Sequence, residues 1–408
     1  MTLAHTVGTR NIIKSTMDKY KEIHLEKPNT LANFLSEEDR KEVVSLKITG
    51  FIGREDFEDV LDDMCESGGY HDADDNYIPD YDLAAPLRHL DLGEATYVDG
   101  DCLPYFGFVA QQETVILPKG IKTTLDEGES ETGFSESEML KKLVLPEGLK
   151  VVGGFNSCNN LSDLILPEGL EEICSHAFCG CDAITSIRIP ASVKVMDGSC
   201  FADCNIKEYV VDGNNPCFTV VDGIIYNKDL TKLVAFPSFY PNRHFTVPST
   251  VRIIGDSAFM DSHIDSIELP DSLTTIEGWA FDGSTIKSVT IPDSVTEIGE
   301  LAFRFCWDLE QVKLPKDIQN IYQMTFCGCP KLKSIRIPAS VVKIDRFALE
   351  SQNLKTIIME GNVPPEVSIN FRDGMSIPKG VEIFVPKGAM QAYKDAHGWK
   401  RYDIKEVE

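Results

Sequence analysis

The chain has 408 residues, more than one hydrophobic core ordinarily serves, and 42% of them are apolar, enough for most of it to fold. A formal net charge of −26 opposes nucleic acid, whose phosphates demand a basic face, and electrostatic attachment to anionic membranes. The charge reads as a soluble, self-repelling surface, and no apolar run approaches the roughly 18 residues a membrane span needs.

In chain order, residues 1–25 read as a flexible tail. Their sequence, MTLAHTVGTRNIIKSTMDKYKEI onward, lacks the apolar core of a signal peptide, so either the protein stays in the cytosol or an export signal lies outside this chain. Residues 26–110 read as an N-terminal capping region. Val44–Ile48 and Leu87–Leu92 share a strand pattern, and Arg54–Cys65 between them reads as a helix with Phe57, Val60, Leu61 and Met64 on one face. Strand, helix and parallel strand make one long opening coil that shields the end of a stack. Asp72-Ala73-Asp74-Asp75-Asn76 hints at a calcium loop. An EF-hand wants glycine sixth and glutamate twelfth, where this chain has Tyr77 and Leu83, so a solvated acidic loop is the better reading.

From residue 111 the chain repeats itself. Prolines recur at Pro146, Pro167 and Pro190 within a first block (111–206). They recur at Pro248, Pro270, Pro292, Pro315 and Pro338 within a second (245–360), always in steps of 21 to 23 residues. The unit from Leu332 reads LKSIRIPASVVKIDRFALESQN, and the shared pattern is L-x-x-I-x-I-P-x-x-V-x-x-I-x-x-x-A-F-x-x-C. Ile335-Arg336-Ile337 alternates as a short strand does, and the proline, with no N–H to donate, ends it. The next apolar pair and the Ala-Phe pair point back into the same interior. One coil cannot bury these residues alone; about nine coils stacked roughly 4.8 Å apart can. The expected architecture is an α/β repeat: a right-handed solenoid of leucine-rich coils with a parallel sheet on one face.

Between the blocks, residues 207–244 read as an insertion. Asp212–Pro237 places Asp222-Gly223 and Asn227-Lys228-Asp229 between β-rich runs, the signature of a hairpin. The C-terminal segment, 361–408, carries PP, VPKG, AYK and GWK elements outside the regular pattern.

The twelve cysteines invite disulfide or metal readings, but their phase argues otherwise. Cys158, Cys181, Cys204, Cys306 and Cys329 each follow the repeat phenylalanine by three residues, where other coils carry Ser262, Ser284 and Gln352. That is a ladder of small inward positions holding free thiols. The Cys179-Gly180-Cys181 and Cys327-Gly328-Cys329 pairs lie six coils apart, too far to share a zinc ion. The eight histidines are scattered, and no zincin, nucleophile-elbow or P-loop motif occurs. No metal, cofactor or catalytic residue is expected.

Two surfaces are candidate sites. The first flanks the central apolar residue of each strand: one column runs Ser186, Ser266, Ser288, Gln311, Ser334, the other Arg188, Glu268, Thr290, Lys313, Arg336. This is a low-relief, polar sheet face with a basic end at Lys313 and Arg336. The second is the position before the repeat alanine. It holds His176, Ser199 and Ser257 in earlier coils, then Trp279, Leu301, Met324 and Phe347, an apolar flank of about 15 Å if stacking aligns them. Such a stripe either fills the ridge between coils or serves weak self-association or a partner's apolar anchor.

The unit resembles the leucine-rich repeat of BspA-like bacterial surface proteins. Asp212–Pro237 resembles the hairpin insertion of that family, and the segment from Gly361 resembles its terminal cap. The resemblance covers about Leu140–Glu408. It implies a non-catalytic solenoid at the cell surface or secreted, binding a protein or cell-surface ligand in adhesion. A structural or self-associating spacer is the alternative.

Overall fold

A computed structural model describes residues 19–65, 69–71, 77–79, 87–104, 112–125, 134–368 and 376–407. The acidic segment 72–76, weighed above as a calcium loop, lies outside the described residues. The chain forms two compact units, Met1–Ile184 with Pro190–Val195, and Thr185–Ile189 with Met196–Glu408.

In the first unit, six parallel strands lie in sequence order: Tyr20–Leu25, Ser45–Ile52, His89–Tyr97, Thr114–Ile116, Lys142–Val144 and Asp163–Ile165. The expected tail therefore ends earlier than residue 25. Ile23 and Leu25 are buried, and Tyr20–Leu25 pairs residue for residue with Ser45–Gly50, because its alternating apolar residues have a sheet edge to cover. Arg54–Cys65 is helical, with a π-turn at Phe57–Leu61 that buries Phe57, Val60 and Leu61, followed by buried Met64. Asp56, only 1% exposed, holds this corner together. Its carboxylate accepts backbone N–H bonds from Asn29 (2.7 Å), Leu31 (2.8 Å) and Gly53 (2.9 Å), which satisfies a buried charge that would otherwise be costly.

The second unit repeats the pattern. His244–Thr246, Ser266–Glu268, Ser288–Thr290 and Gln311–Lys313 form one parallel ladder. Ser334–Ile337, Thr356–Met359, Glu382–Val385 and Asp403–Glu406 form another alongside it. A second row of two-residue strands follows at the downstream apolar pair, as at Thr275–Ile276 and Glu297–Ile298. The one-face sheet expected from the pattern thus has a companion ladder. A two-residue strand is too short to show alternation in sequence, and only stacking against the same pair in the next coil supplies its hydrogen bonds.

The repeat phenylalanines build a buried stack. Ring centroids are 4.9 Å apart for Phe259–Phe281, 5.0 Å for Phe281–Phe303 and 5.4 Å for Phe303–Phe326, with planes within 9° of parallel. Phe134, Phe155 and Phe178 stack likewise in the first unit. Identical residues at one spacing place identical rings at one spacing, the side-chain ladder that repetition makes possible. Beside the rings run the thiols. Cys306 and Cys329 are fully buried and donate to the carbonyls of Phe281 and Phe303, each at 3.1 Å. Cys158, Cys181 and Cys204 are buried too, and none of the five is in a disulfide. In the last coil the ladder residue is Ser351, not Gln352. Only one residue separates Leu349 from Ser351, so Gln352 turns out to solvent while Ser351 Oγ donates to the Cys329 carbonyl.

The insertion is narrower than 207–244. Glu208–Val211 pairs in parallel with Ser186–Ile189, and His244–Thr246 with Ser266–Glu268, so both are repeat strands. Their apolar residues alternate in phase with the coils, and that phase places them in the ladder. Between them, Phe218–Val221, Ile224–Asn227 and Lys232–Ala235 form an antiparallel meander. Its first turn sets Asp222 and Gly223 at φ of 50° and 77°, the doubly left-handed geometry that Asp-Gly tolerates. Its third strand pairs in parallel with Ile253–Ile254 and starts the companion ladder. At the C-terminus, Tyr393 on the helix Met390–Asp395 and Trp399 just after it are both buried. Tyr393 Oη donates to the Gly361 carbonyl (2.9 Å) and Trp399 Nε1 to that of Pro365 (2.8 Å). Their polar tips thus satisfy buried carbonyls of the preceding segment.

Candidate sheet-face binding site

Period-two alternation decides which side chains face solvent. In the strand Ser334–Ile337, Ile335 and Ile337 are buried and Ser334 and Arg336 exposed, and Ser288–Thr290 follows the same rule around buried Val289. The structure brings Ser266, Ser288 and Gln311 into one row and Thr290 and Lys313 into the adjacent row, through the pairs Ser266↔Ser288, Ser288↔Gln311 and Thr290↔Lys313. Glu268 is exposed and Ser266 half-buried. Ser334 and Arg336 stand on the strand alongside, in the separate ladder. Ser186 and Arg188 are exposed but belong to a third ladder, with Glu208–Val211, and Arg188 is ion-paired with Asp212. The ten residues thus fall on three hydrogen-bonded ladders.

A shallow open depression of about 590 Å³ lies on the middle ladder. His244, Glu268, Asp271 and Asp293 line it, with Ser266, Ser288 and Thr290 as its floor and Lys313 at one side. His244 Nδ1 is 2.8 Å from Ser266 Oγ, and Nε2 is 3.6 Å from Glu268 Oε1. Thr246 Oγ1 donates to Glu268 Oε2 at 3.1 Å. Asp293 accepts the Lys316 backbone N–H at 3.1 Å, a bond that holds its carboxyl below the usual range. A serine, histidine and glutamate in contact resemble a nucleophile set. Here His244 and Glu268 stand on open sheet, with side chains 53% and 66% exposed, and the strand backbone is engaged in the ladder, where a preorganised oxyanion site needs unengaged N–H groups. The arrangement suits recognition through many small polar contacts.

His244, Asp271 and Asp293 were missed by the sequence columns. The signals were present: His244-Phe245-Thr246-Val247-Pro248 is a repeat strand, and Pro270-Asp271-Ser272 and Pro292-Asp293-Ser294 place aspartate after the strand proline.

The apolar flank is not a continuous exposed stripe. Leu301 is buried, Met324 and Phe347 are half-buried, and only Trp279, at 36%, is exposed. All four residues adopt left-handed backbone, with φ between 49° and 58°. Their N–H groups reach the following coil: Trp279 to Glu300, Leu301 to Gln323 and Met324 to Arg346, at 3.0–3.1 Å. The backbone bonds to the next coil offset the cost of a non-glycine residue at positive φ.

These coils match a known family. The profile described as the BspA type leucine rich repeat region matches residues 117–220 and 232–355, in six copies. The chain belongs to that family. Among solved structures, a leucine-rich repeat protein from Eubacterium ventriosum is similar at a TM-score of 0.55 and 19% identity, over 88% of this chain and 90% of that one. The pneumococcal vaccine antigen PcpA is similar at 0.52 and 16%, over 97% and 96%. These likenesses bear on the fold. Among curated proteins, none matches the chain. No described helix is long and apolar enough to cross a membrane.

Proposed function

We propose that the protein is a non-catalytic binding solenoid acting at the bacterial cell surface or after secretion, and that its ligand is a protein or cell-surface component engaged in adhesion. The carrying observation is the sheet face of the second unit: half-buried or exposed polar side chains in register from Ser266 to Lys313, opening into the depression beside His244 and Glu268. Regular ladders present such rows at fixed spacing, and repeat proteins bind along them. Family membership supports the surface assignment. The candidate contacts are Ser266, Glu268, Ser288, Thr290, Gln311, Lys313, Ser334 and Arg336. A photo-crosslinking residue placed at Ser288 or Gln311, with Lys343 on the companion row as control, tests the reading against host matrix extract. Covalent capture of one defined protein from the sheet positions is expected; capture only from Lys343 places the site elsewhere.

A further inference from the structure

Although the chain is strongly acidic, one part of its sheet face is not. Lys313 and Arg336 lie on neighbouring strands, Lys333 and Lys355 immediately precede the strands Ser334–Ile337 and Thr356–Met359, and all four are exposed. On other strands of this face Lys287 meets Asp265 on the adjoining coil at 3.0 Å and Lys405 meets Glu382. Here the alternation breaks. Lys333 and Lys355 precede the paired residues Ser334 and Thr356, and the Lys355 N–H donates to the Lys333 carbonyl, so like charges sit opposite each other. Lys313, Lys333 and Lys355 have no carboxylate within 4.0 Å among the described residues, and Arg336 has only an exposed Glu360 at 3.8 Å. Directly opposed like charges cost stability, a cost that an anion spanning the two strands relieves.

The register also sets an apolar floor beside the cations. Arg336 pairs with Ile358 and Ile358 with Phe384, and both apolar side chains are half-buried, leaving part of each open to solvent. With strands ~4.8 Å apart and ~3.3 Å per residue along each, the four cations frame an area roughly 10 Å on a side that borders this floor.

We infer that this face binds an acidic, apolar-bearing polypeptide segment, whose carboxylates meet Lys313, Lys333, Arg336 and Lys355 while an apolar side chain rests on Ile358 and Phe384. The charge fixes the partner's sign, against the −26 of the chain as a whole. The apolar floor favours a peptide over a sulfated or uronic polysaccharide, which has no side chain to place there. The inference rests on the sheet-face reading and narrows it to one end.

The test uses the full chain and three probes at low salt: a random glutamate–tyrosine copolymer, polyglutamate and heparin, measured by titration calorimetry. The copolymer is expected to bind most tightly, polyglutamate more weakly and heparin no better than polyglutamate. The triple variant Lys313→Glu, Arg336→Glu, Lys355→Glu is expected to weaken the copolymer by at least about tenfold, and Ile358→Thr to narrow its advantage over polyglutamate. Circular dichroism melts verify folding. If the charge reversals do not fold, Lys313→Gln with Lys355→Gln replaces them, with a smaller loss of the same sign. Tighter binding of heparin overturns the inference in favour of a polysaccharide. So does a variant that binds the copolymer as the parent does. Light scattering that shows a dimer abolished by the reversals, without copolymer binding, assigns the face to a second copy. Capture by the crosslinker at Ser288 or Gln311 with no copolymer binding would refute this inference and leave the sheet-face reading standing.

Discussion

Phe281 offers a direct measure of what the ring stack contributes. It is fully buried between Phe259 and Phe303, with centroids 4.9 and 5.0 Å away and planes within 8°. Replacement by alanine removes a buried ring and leaves a cavity, a cost of about 3–5 kcal/mol. Replacement by leucine keeps most of the apolar volume and removes two stacked contacts, each worth ~0.5–1.5 kcal/mol, so about 1–3 kcal/mol is expected. Leucine is tolerable there in principle, since Leu349 ends this row in the last coil and is buried. Because a solenoid's stability is a sum over neighbours, the loss falls on the two interfaces that Phe281 shares. Urea unfolding gives the total. Hydrogen exchange locates it: the amides of Phe259, Phe281 and Phe303, which donate to Ala280, Ala302 and Thr325, should lose protection first. A Phe281→Leu protein with parental stability and exchange would mean that the rings contribute only bulk, and the stacking argument would fail.

Ile337, fully buried, should cost about 2–5 kcal/mol when replaced by alanine, while exposed Arg336→Ala stays within ~0.5 kcal/mol; equal losses in urea unfolding would contradict the strand register. The five buried ladder thiols should resist Ellman's reagent in the native protein and titrate fully in denaturant without reductant, and persistent disulfides among them would refute the ladder. Burial, with Asp203 and Asp282 as like charges, raises the Asp261 carboxyl from 3.8 to about 7, and Arg304, engaged by Asp282 through two bonds, offsets this only in part. The folded state then holds the Asp261 proton more tightly than the unfolded state, so this contribution is full below about pH 4 and is lost as pH rises to about 7. Asp261→Asn should match the parent's melting temperature near pH 4 and exceed it at pH 8; a pH-independent difference would remove Asp261 as the cause.

The sequence by itself determined the coil. A proline every 21 to 23 residues, an alternating strand before it and an Ala-Phe pair after it leave one way to bury the apolar positions, and Ile335, Ile337, Val341, Ile344 and Ala348 are all buried as the pattern requires. The exposure of Arg336 and Thr290 follows from the same alternation. Tertiary structure decided whatever depends on a neighbouring coil. The companion ladder exists because two-residue strands gain partners only by stacking, and Tyr20–Leu25 is a strand because Ser45–Ile52 offers it an edge. Leu301 is buried and Trp279 exposed although the repeat gives them equivalent positions. The break between ladders that separates Ser186 and Arg188 from Ser266 and Glu268, and the meeting of His244 with Ser266 and Glu268, are likewise contacts between coils. A one-dimensional pattern states what each coil must bury; which side chains then meet is set by register, and register is made of hydrogen bonds between residues about 22 apart.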